Sequence, residues 1–439
     1  MKKIKIVLLG GGSLYFESVM AEIACTPELS GAEIMLYDIN AKRMDLMRRV
    51  GLRIAEKTKS GLDVRATTDL AKALDGSDFA IASIGVHGHL YEGAVKCCEI
   101  SAKFGIMDTT GDTTGPGGLS QGLQIIPIFL NIAKKMEQHC PRAILLNHSN
   151  PMSPVCRAVK KYTSIEIIGY CHNVSGDIDY FGKVLGVPPK ELEVIAAGPN
   201  HCLWLLGISH QGRDMYPELK KRLAAREAPD RHKFAQEVFE MFDLFPIGAD
   251  RHLIEFFPHC RRATTPKNIE YNMVWAPELA ISGMKLRELN KEPEAIELKA
   301  AGKKEVWLPG PDELSPEAMG HQIKAIMFGP AKIHYVNTTN RNAVTNLPPW
   351  AVLELRAAVG HGGAKPVYIG EMPAQAARWS AAQLFAHELM VDAAAETSRK
   401  KAIMALACDP RIRDFKEAKE IFDAMVKGLG ERLKKFRKS

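Results

Sequence analysis

The stretch that decides the fold lies at the start of the chain, where residues 4–15 read IKIVLLGGGSLY and residues 33–38 read EIMLYD. The apolar residues before the glycines are typical of a buried strand, and the amphipathic segment Phe16–Cys25 that follows predicts a helix. The second stretch predicts another strand, which ends at Asp38. A strand, a glycine turn, a helix, a second strand and an acidic residue, in this order, form the βαβ unit that binds dinucleotides.

The glycine turn supplies the candidate cofactor-binding residues, which are Gly10, Gly12 and Ser13, together with Asp38. Glycines let the backbone approach a pyrophosphate at the amino end of the helix, where unpaired N–H groups favour anions. Asp38 follows Gly12 by 26 residues and can accept hydrogen bonds from the adenosine ribose hydroxyls, whereas it would repel a 2′-phosphate. The turn therefore favours NAD over NADP. Because the third glycine of the usual fingerprint is Tyr15 here, an ordinary strand–helix corner is the alternative interpretation.

The alternation of strands and helices continues well beyond this unit. Further strands are predicted at Asp78–Ile84, Arg142–Leu146 and Glu166–Gly169, with a long helix at Leu119–Met136. We therefore expect an α/β protein with a Rossmann-like, doubly wound parallel sheet over residues 1–195, which binds NAD. A mixed α+β, mainly helical domain over residues 196–439 is expected to contribute substrate binding, metal binding and oligomerisation.

Composition narrows the class of protein. The chain has 439 residues, of which 46% are hydrophobic, 25% charged and 7% aromatic, as in a globular protein. Its net charge of +7 is modest and partly lies in the basic stretch 431–439, so we expect no nucleic-acid partner. Nine cysteines, with Cys97 and Cys98 adjacent, favour free thiols. The apolar stretch 125–133 is short and broken and no secretory signal is evident, which predicts a cytoplasmic protein without a membrane partner.

Six later segments carry a more specific pattern. They read GDTTGPGG at 111–118, NHSNPM at 147–152, GYCHNV at 169–174, GPNHCLW at 198–204, NTTNRNAVTNLP at 337–348 and GEMP at 370–373. Their order and spacing resemble glycoside hydrolase family 4, the NAD- and metal-dependent glycosidases, from about residue 3 to residue 425. The resemblance implies a small-molecule glycoside as substrate, bound NAD, a divalent metal that is usually Mn²⁺, and a homodimer or homotetramer.

The resemblance also assigns the metal ligands, because Cys171 and His201 fall on the family's two ligand positions. A thiolate and an imidazole can bind a divalent metal together, although such a pair on its own is more often structural. In this family two substrate hydroxyls complete the site. Thiolate ligation further predicts sensitivity to oxidation.

The chemistry that the resemblance implies is elimination followed by addition. NAD⁺ takes hydride from C3 of the sugar, and the ketone so formed acidifies the hydrogen on C2. A base removes that proton while the metal stabilises the enediolate. The glycosidic oxygen then leaves, water adds at C1, and the ketone is reduced again.

Four residues are candidates for catalysis. Asp112 aligns with the acidic position of the family's GQETTG segment and could reach substrate hydroxyls or the metal, or only form a turn. His172 is similar to the branches that act on α-galactosides, α-glucosides and uronides, which need no phosphate, and could protonate the leaving oxygen. A loop histidine is the alternative. The phospho-sugar branch has a catalytic tyrosine near 248–258, where this chain has none, so the base would be Asp250 or His252.

Three residues are candidates for substrate binding. Asn150 falls on a family position that binds sugar hydroxyls near the metal, with a turn cap as the alternative. Arg251 could pair with an anionic group of the substrate, and Glu255, one helical turn later, is its alternative partner. Arg341 lies in the family segment at 337–348 and is expected to help bind substrate.

Two details complete the predicted site. The usual glycine of the segment at 337–348 is Asn342 here, and asparagine tolerates the left-handed backbone that such a turn needs. His87 and His89 follow the fourth strand, close to where a nicotinamide would lie, although most loop histidines are merely solvated.

The sequence thus predicts hydrolysis of an unphosphorylated α-glycoside, with a uronide favoured because of Arg251. Three alternatives stay open. The same redox steps could act on another anionic sugar, such as a sulfonated glycoside. A plain NAD-dependent 2-hydroxy-acid dehydrogenase would need no metal and would work without Cys171. A non-catalytic NAD-binding sensor would tolerate the loss of both Cys171 and His201.

Overall fold

The computed structural model of the chain describes residues 3–85, 92–225, 232–261, 271, 273–280, 282, 292–310 and 318–437. Its strands are β1 (Lys5–Leu9), β2 (Glu33–Tyr37), β3 (Asp63–Thr67), β4 (Phe79–Ala82), β5 (Ile144–Asn147), β6 (Glu166–Gly169), β7 (Leu192–Gly198), β8 (Leu203–His210), β9 (Arg213–Asp214), β10 (Pro246–Ile247), β11 (Lys332–Thr339), β12 (Val352–Gly360) and β13 (Gly363–Pro366). They form one sheet in the order β10-β8-β7-β12-β11-β6-β5-β4-β1-β2-β3, with β9 paired to β8 and β13 to β12.

Helices surround this sheet. They are α1 (Phe16–Ala24), α2 (Ala41–Thr58), α3 (Leu70–Leu74), α4 (Glu92–Ala102), α5 (Gly115–His139), α6 (Met152–Tyr162), α7 (Asn173–Leu185), α8 (Tyr216–Ala224), α9 (Lys233–Phe242), α10 (Asp250–Leu253), α11 (Glu292–Ala300), α12 (Met319–Phe328), α13 (Ala374–Glu396), α14 (Arg399–Ala407) and α15 (Phe415–Gly428).

The first half of the sheet confirms the predicted doubly wound architecture. Strands β3, β2, β1, β4, β5 and β6 are parallel to one another, and helices connect most of them. Side chains of β1 alternate between two apolar clusters, with Ile6 and Leu8 in one and Val7 and Leu9 in the other. Because helices cover both faces, these strands are apolar on both sides, which is why the sequence shows continuous apolar runs.

The second half extends the same sheet with antiparallel strands. β7 pairs with β8 and β12, and β12 pairs with β11, which contacts β6. The expected domain boundary at residue 195 lies inside β7, so the sheet is continuous across it. The second half therefore contributes strands to the central sheet as well as helices.

Two further properties concern the whole chain. No disulfide joins any of the nine cysteines, all of which lie in the described ranges, in agreement with the predicted thiols. Within those ranges, no helix combines the length and the hydropathy that a membrane crossing would need.

Several loops converge because of this topology. The loops after β1, β4, β5 and β6 leave the same edge of the parallel strands, where such folds bind ligands. The turn between β7 and β8 lies beside the segment after β10, since Ile247 pairs with Leu203. These segments carry the predicted site residues.

Candidate active site

The glycine turn after β1 is locked by the strand beside it. The N–H groups of Gly10 and Gly11 donate to the Tyr37 carbonyl at 3.0 and 2.8 Å, and the Gly12 N–H donates to Asp38 Oδ2 at 2.8 Å. A Cβ on Gly10, whose φ is +84°, would lie 2.4 Å from the Ser83 carbonyl oxygen, so only glycine fits there.

The rest of the turn faces two neighbouring loops. Ser13 Oγ lies 3.2 Å from Ser83 Oγ, at the end of β4. Tyr15, which replaces the third glycine of the fingerprint, places its hydroxyl 3.0 Å from Nδ1 of His148. Tyr15 thereby connects the turn to the loop that carries Asn150. His87 and His89 lie outside the described residues.

The loop between α4 and α5 is fixed by buried charges. Asp108 Oδ1 accepts from Arg411 Nη1 at 3.0 Å, and Asp409 accepts from the same guanidinium at 2.9 and 3.0 Å. Thr114 Oγ1 donates to Asp409 Oδ2 at 3.3 Å. Gly115 leaves the room that the guanidinium occupies, since a Cβ there would lie 1.7 Å from Arg411 Nη2. Asp112 lies in the middle of this loop.

Three side chains from different parts of the chain meet beside that loop. The donor atoms of Asp112, His201 and His252 all lie within 4.8 Å of one another. Asp112 Oδ1 is 3.5 Å from His252 Nδ1 and 3.9 Å from His201 Nδ1, and the two imidazole rings are 4.0 Å apart between centroids. Thr113 Oγ1 lies between Asp112 Oδ1 at 2.7 Å and His201 Nδ1 at 2.8 Å. We call Asp112, His201 and His252 the donor cluster.

The electrostatics of the donor cluster suit a cation. Burial raises the pKa of Asp112, but the nearby His252 and His201 imidazoles outweigh burial and hold that pKa well below its usual range. Burial, followed by the neighbouring His252, lowers the pKa of His201 to about 3. An ionised carboxylate and an uncharged imidazole are the protonation states in which these groups bind metals.

The geometry of the donor cluster also fits a metal ion. Ligands at about 2.1 Å from a divalent metal lie within about 4.2 Å of one another, as Asp112 Oδ1 and His252 Nδ1 do at 3.5 Å. In the described part of the chain, the buried Nδ1 of His252 makes no hydrogen bond. A hard carboxylate oxygen and two borderline imidazole nitrogens suit Mn²⁺ or Zn²⁺.

The predicted metal pair is therefore only partly brought together. His201 is 3% exposed and belongs to the donor cluster. Cys171 is half-buried and packs against the apolar cluster on one face of the sheet, and the donor cluster does not include it. His172 is exposed at the amino end of α7.

The candidate substrate residues occupy different places. Asn150 Nδ2 donates to Asp112 Oδ2 at 3.1 Å, while its buried Oδ1 has no hydrogen-bond partner among the described residues. Arg251 is exposed, and its Nε donates to Thr110 Oγ1 at 3.3 Å. Arg341 lies on the exposed loop after β11, where its backbone N–H donates to the Pro349 carbonyl.

Asn342, in the same loop as Arg341, has a φ of +62°, so the predicted left-handed backbone at this position is confirmed.

Asp250 is directed to a helix instead of the donor cluster. Its carboxylate accepts from the N–H groups of Phe234 at 2.9 Å and Ala235 at 3.1 Å, at the start of α9. Burial raises the pKa of Asp250 to about 6, although both amides act in the opposite direction. His252, the other candidate for the base, belongs to the donor cluster.

Glu255 is not the partner of Arg251 that its spacing suggested. Its Oε1 accepts from the N–H groups of Thr109, Thr110 and Gly111 at 2.7, 2.7 and 2.9 Å. Burial, followed by the nearby Asp108 carboxylate, raises the pKa of Glu255 to about 7.

A second buried carboxyl group supports His201 and was missed by sequence reasoning. Glu354 is fully buried in β12 and accepts from Asn200 Nδ2 at 2.6 Å. Burial raises the pKa of Glu354 to about 7, against the amides of Asn200 and Asn337. Asn200 precedes His201 in the segment at 198–204, which is a usable signal. Glu354 lies in an apolar stretch of the sequence, which gives no signal of a functional residue.

Several known proteins similar to this chain are glycosidases. The model described as "Family 4 glycosyl hydrolase" matches residues 5–187, and the model of that family's C-terminal domain matches residues 196–412. An alpha-galactosidase of Bacillus subtilis is 28% identical over 408 residues, which cover 92% of this chain and 93% of that protein. An alpha-galacturonidase of Lachnoclostridium phytofermentans is 28% identical over 451 residues, which cover 95% of this chain and 93% of that protein.

A solved structure shares the fold. A 6-phospho-alpha-glucosidase from gut microorganisms, crystallised with NAD and Mn²⁺, superposes with a TM-score of 0.80 at 23% identity, covering 98% of this chain and 99% of that one. At this identity the likeness shows a common architecture.

Proposed function

Because the chain belongs to family 4 of the glycosyl hydrolases, we propose that it hydrolyses an unphosphorylated α-glycoside with NAD and a divalent metal as cofactors. The observation that carries the proposal is the donor cluster, which lies beside the segments that carry Asn150 and Arg251. Relatives named alpha-galactosidase and alpha-galacturonidase support an α-linked, unphosphorylated sugar.

The NAD site is proposed at Gly10, Gly12, Ser13 and Asp38. The glycine turn leads directly into the amino end of α1, and Asp38 is held at the end of β2 where a ribose would lie. The related structure that contains NAD and Mn²⁺ supports both cofactors.

The metal site is proposed at Asp112, His201 and His252, with Thr113 orienting His201. When bound, the cofactors supply hydride transfer at C3 and Lewis-acid stabilisation of negative charge on the sugar oxygens. Asn150 fixes the Asp112 carboxylate through its amide N–H and directs its carbonyl oxygen toward a sugar hydroxyl. His172, exposed at the start of α7, gives a proton to the glycosidic oxygen.

The substrate is proposed to be anionic, with a uronide first. Arg251 is exposed one residue before His252, and its Nε is held by Thr110, so its side chain is partly oriented beside the metal site. A guanidinium pairs well with a carboxylate through two parallel hydrogen bonds. The relatives named alpha-galacturonidase agree with this preference. A sulfonated sugar would offer similar chemistry to the same arginine.

The test is nitrophenol release from paired α- and β-glycosides of glucose, galactose, glucuronate and galacturonate. It is run under reducing conditions with NAD⁺ and Mn²⁺, and again with each omitted. We expect release from an α-uronide only when both cofactors are present. His201→Asn should abolish release, whereas His210→Asn, a histidine of β8 bonded to Glu191, should leave it unchanged.

Three outcomes would contradict the proposal. Release without NAD⁺ would exclude the redox steps. NADH that accumulates from a 2-hydroxy acid, without metal, would identify the dehydrogenase alternative. Cofactor binding without turnover of any substrate, neutral or anionic, would identify the sensor.

A further inference from the structure

Two segments far apart in the sequence meet around the donor cluster. One is residues 109–111, which lead into Asp112, and the other is residues 251–255, which include His252. We propose that Glu255 is a positioning residue that clamps these segments together and sets the separation of Asp112 and His252 for metal binding. The inference deepens the proposed function and rests on its metal site.

The clamp consists of hydrogen bonds in both directions. Glu255 Oε1 accepts from three successive backbone N–H groups, of Thr109, Thr110 and Gly111, at 2.7 to 2.9 Å. In return, the hydroxyls of Thr109 and Thr110 donate to the Arg251 carbonyl at 2.5 and 3.0 Å. The bonds end at Gly111 and Arg251, which directly precede Asp112 and His252. The relative placement of these two cluster residues is therefore set by the clamp.

Backbone geometry prepares the three amides for a carboxylate. Gly111 has a φ of +67°, and a Cβ there would lie 2.8 Å from Cys98 Sγ, so the turn requires glycine. Successive N–H groups directed at one point form a concave anion site, and bonds to an ionised acceptor are the stronger kind. Glu255 is 1% exposed, so water does not compete for these amides.

The negative charge of Glu255 adds a second effect. A neutral acceptor could satisfy the three amides, yet the chain places a carboxylate where its charge interacts with Asp108 and Asp112. Such repulsion is relieved when a dication binds next to Asp112. The clamp therefore acts on the metal both through geometry and through charge, and the two contributions can be separated by substitution.

The experiment measures Mn²⁺ binding by the electron paramagnetic resonance signal of free Mn²⁺, at pH 8, where Glu255 is ionised. NAD⁺ binding is measured in parallel by calorimetry, and folding by thermal unfolding. Glu255→Ala removes acceptor and charge, and should weaken Mn²⁺ binding about 10- to 100-fold, as loss of a group that orients a ligand does. Glu255→Gln keeps an acceptor oxygen for the three amides and should weaken Mn²⁺ binding only a few-fold. NAD⁺ affinity should stay within twofold in both.

Two further variants keep the test decisive. Thr109→Val removes one hydroxyl bond but keeps the amide, so it should weaken Mn²⁺ binding in the same direction even if Glu255→Ala fails to fold. Glu388→Ala, which removes a half-buried ion pair with Arg157 outside the site, controls for general destabilisation and should leave Mn²⁺ affinity unchanged.

The outcomes separate the clamp from the proposed function. Mn²⁺ affinity within twofold of wild type in the folded Glu255 and Thr109 variants would overturn the clamp alone. An equal loss in Glu388→Ala would also overturn it, because the effect would then be general. Failure of the wild-type protein to bind Mn²⁺ would overturn the metal dependence of the proposed function.

Discussion

His201 shows how much surrounding structure one site residue needs. Its φ of +72° is uncommon for a residue other than glycine and persists only where neighbours hold it. Gly248 packs so closely that a Cβ there would lie 2.4 Å from the His201 carbonyl oxygen. On the other side, Asn200 is anchored to Glu354. The imidazole is therefore presented by a turn that cannot relax without disturbing two other segments.

The donor cluster predicts the behaviour of His252. His252→Asn should weaken Mn²⁺ binding at least about tenfold, since one of three protein donors is lost, and should leave NAD⁺ binding unchanged. Titration of each variant with Mn²⁺ and NAD⁺ checks this. Wild-type Mn²⁺ affinity in His252→Asn would remove this residue from the metal site.

Glu354 predicts a pH dependence of stability. Its folded-state pKa of about 7 lies above its ordinary value of 4.5, so the folded protein binds this proton more tightly than the unfolded chain. The resulting stabilisation is complete below the ordinary pKa and is lost as pH rises through 7. Glu354→Gln cannot ionise. Relative to wild type, its free energy of unfolding should rise by about 2 kcal/mol between pH 5 and pH 8.

Urea unfolding of both proteins at the two pH values checks the prediction for Glu354. A difference in unfolding free energy that is the same at pH 5 and pH 8 would show that this carboxyl group has no raised pKa.

At the scale of single elements, α9 gives Asp250 a structural role. Asp250 starts a short helix next to His252, a position from which the sequence suggests a base, and in the structure its oxygens accept from the first amides of α9. The contact joins residues that are 15 and 16 positions apart, which no local pattern reveals. Glu255 is a similar case, because helical spacing suggests Arg251 as its partner, whereas the tertiary fold supplies three amides.

Asp250 is therefore expected to affect stability more than turnover. Asp250→Ala should lower the free energy of unfolding by about 1 kcal/mol through loss of the helix cap. Turnover in the folded variant should stay within a few-fold of wild type. Paired denaturation and nitrophenol assays check this. A folded variant with wild-type stability and no turnover would instead support the base that the sequence suggested.

Other elements could be predicted closely. The predicted second strand and the strand at Glu166–Gly169 match β2 and β6, because apolar runs between turn residues leave few alternatives. The long helix begins at Gly115 rather than at Leu119. Its glycines resemble a turn in sequence, but they are needed for packing, since a Cβ on Gly118 would lie 2.3 Å from the Thr113 carbonyl carbon.

At the scale of the whole molecule, Arg411 ties the last part of the chain to the site. It is fully buried between Asp108 and Asp409, and Gly115 leaves the space for its guanidinium. Removing the Arg411 guanidinium would leave the buried carboxylates of Asp108 and Asp409 without a neighbouring positive charge. The resemblance to a family located the site segments along the chain, but only the folded structure brings Arg411, Glu255 and Glu354 to them.

Arg411→Met is expected to lower the free energy of unfolding by about 3–5 kcal/mol, the usual cost of breaking a buried ion pair. Arg65→Met, which removes an exposed pair with Asp63, should change it little. Denaturant unfolding of both variants checks this. Equal effects in the two would contradict the role of Arg411 as a buried anchor.

One measurement tests the central claim, that the molecule is a redox glycosidase, most directly. The purified protein, with NAD⁺ and Mn²⁺, is given its best α-glycoside in D₂O, and the released sugar is examined by NMR. Removal of the C2 proton followed by addition predicts deuterium at C2 of the product. Full turnover to a sugar whose C2 carries hydrogen and no deuterium would contradict the account and indicate direct displacement at C1.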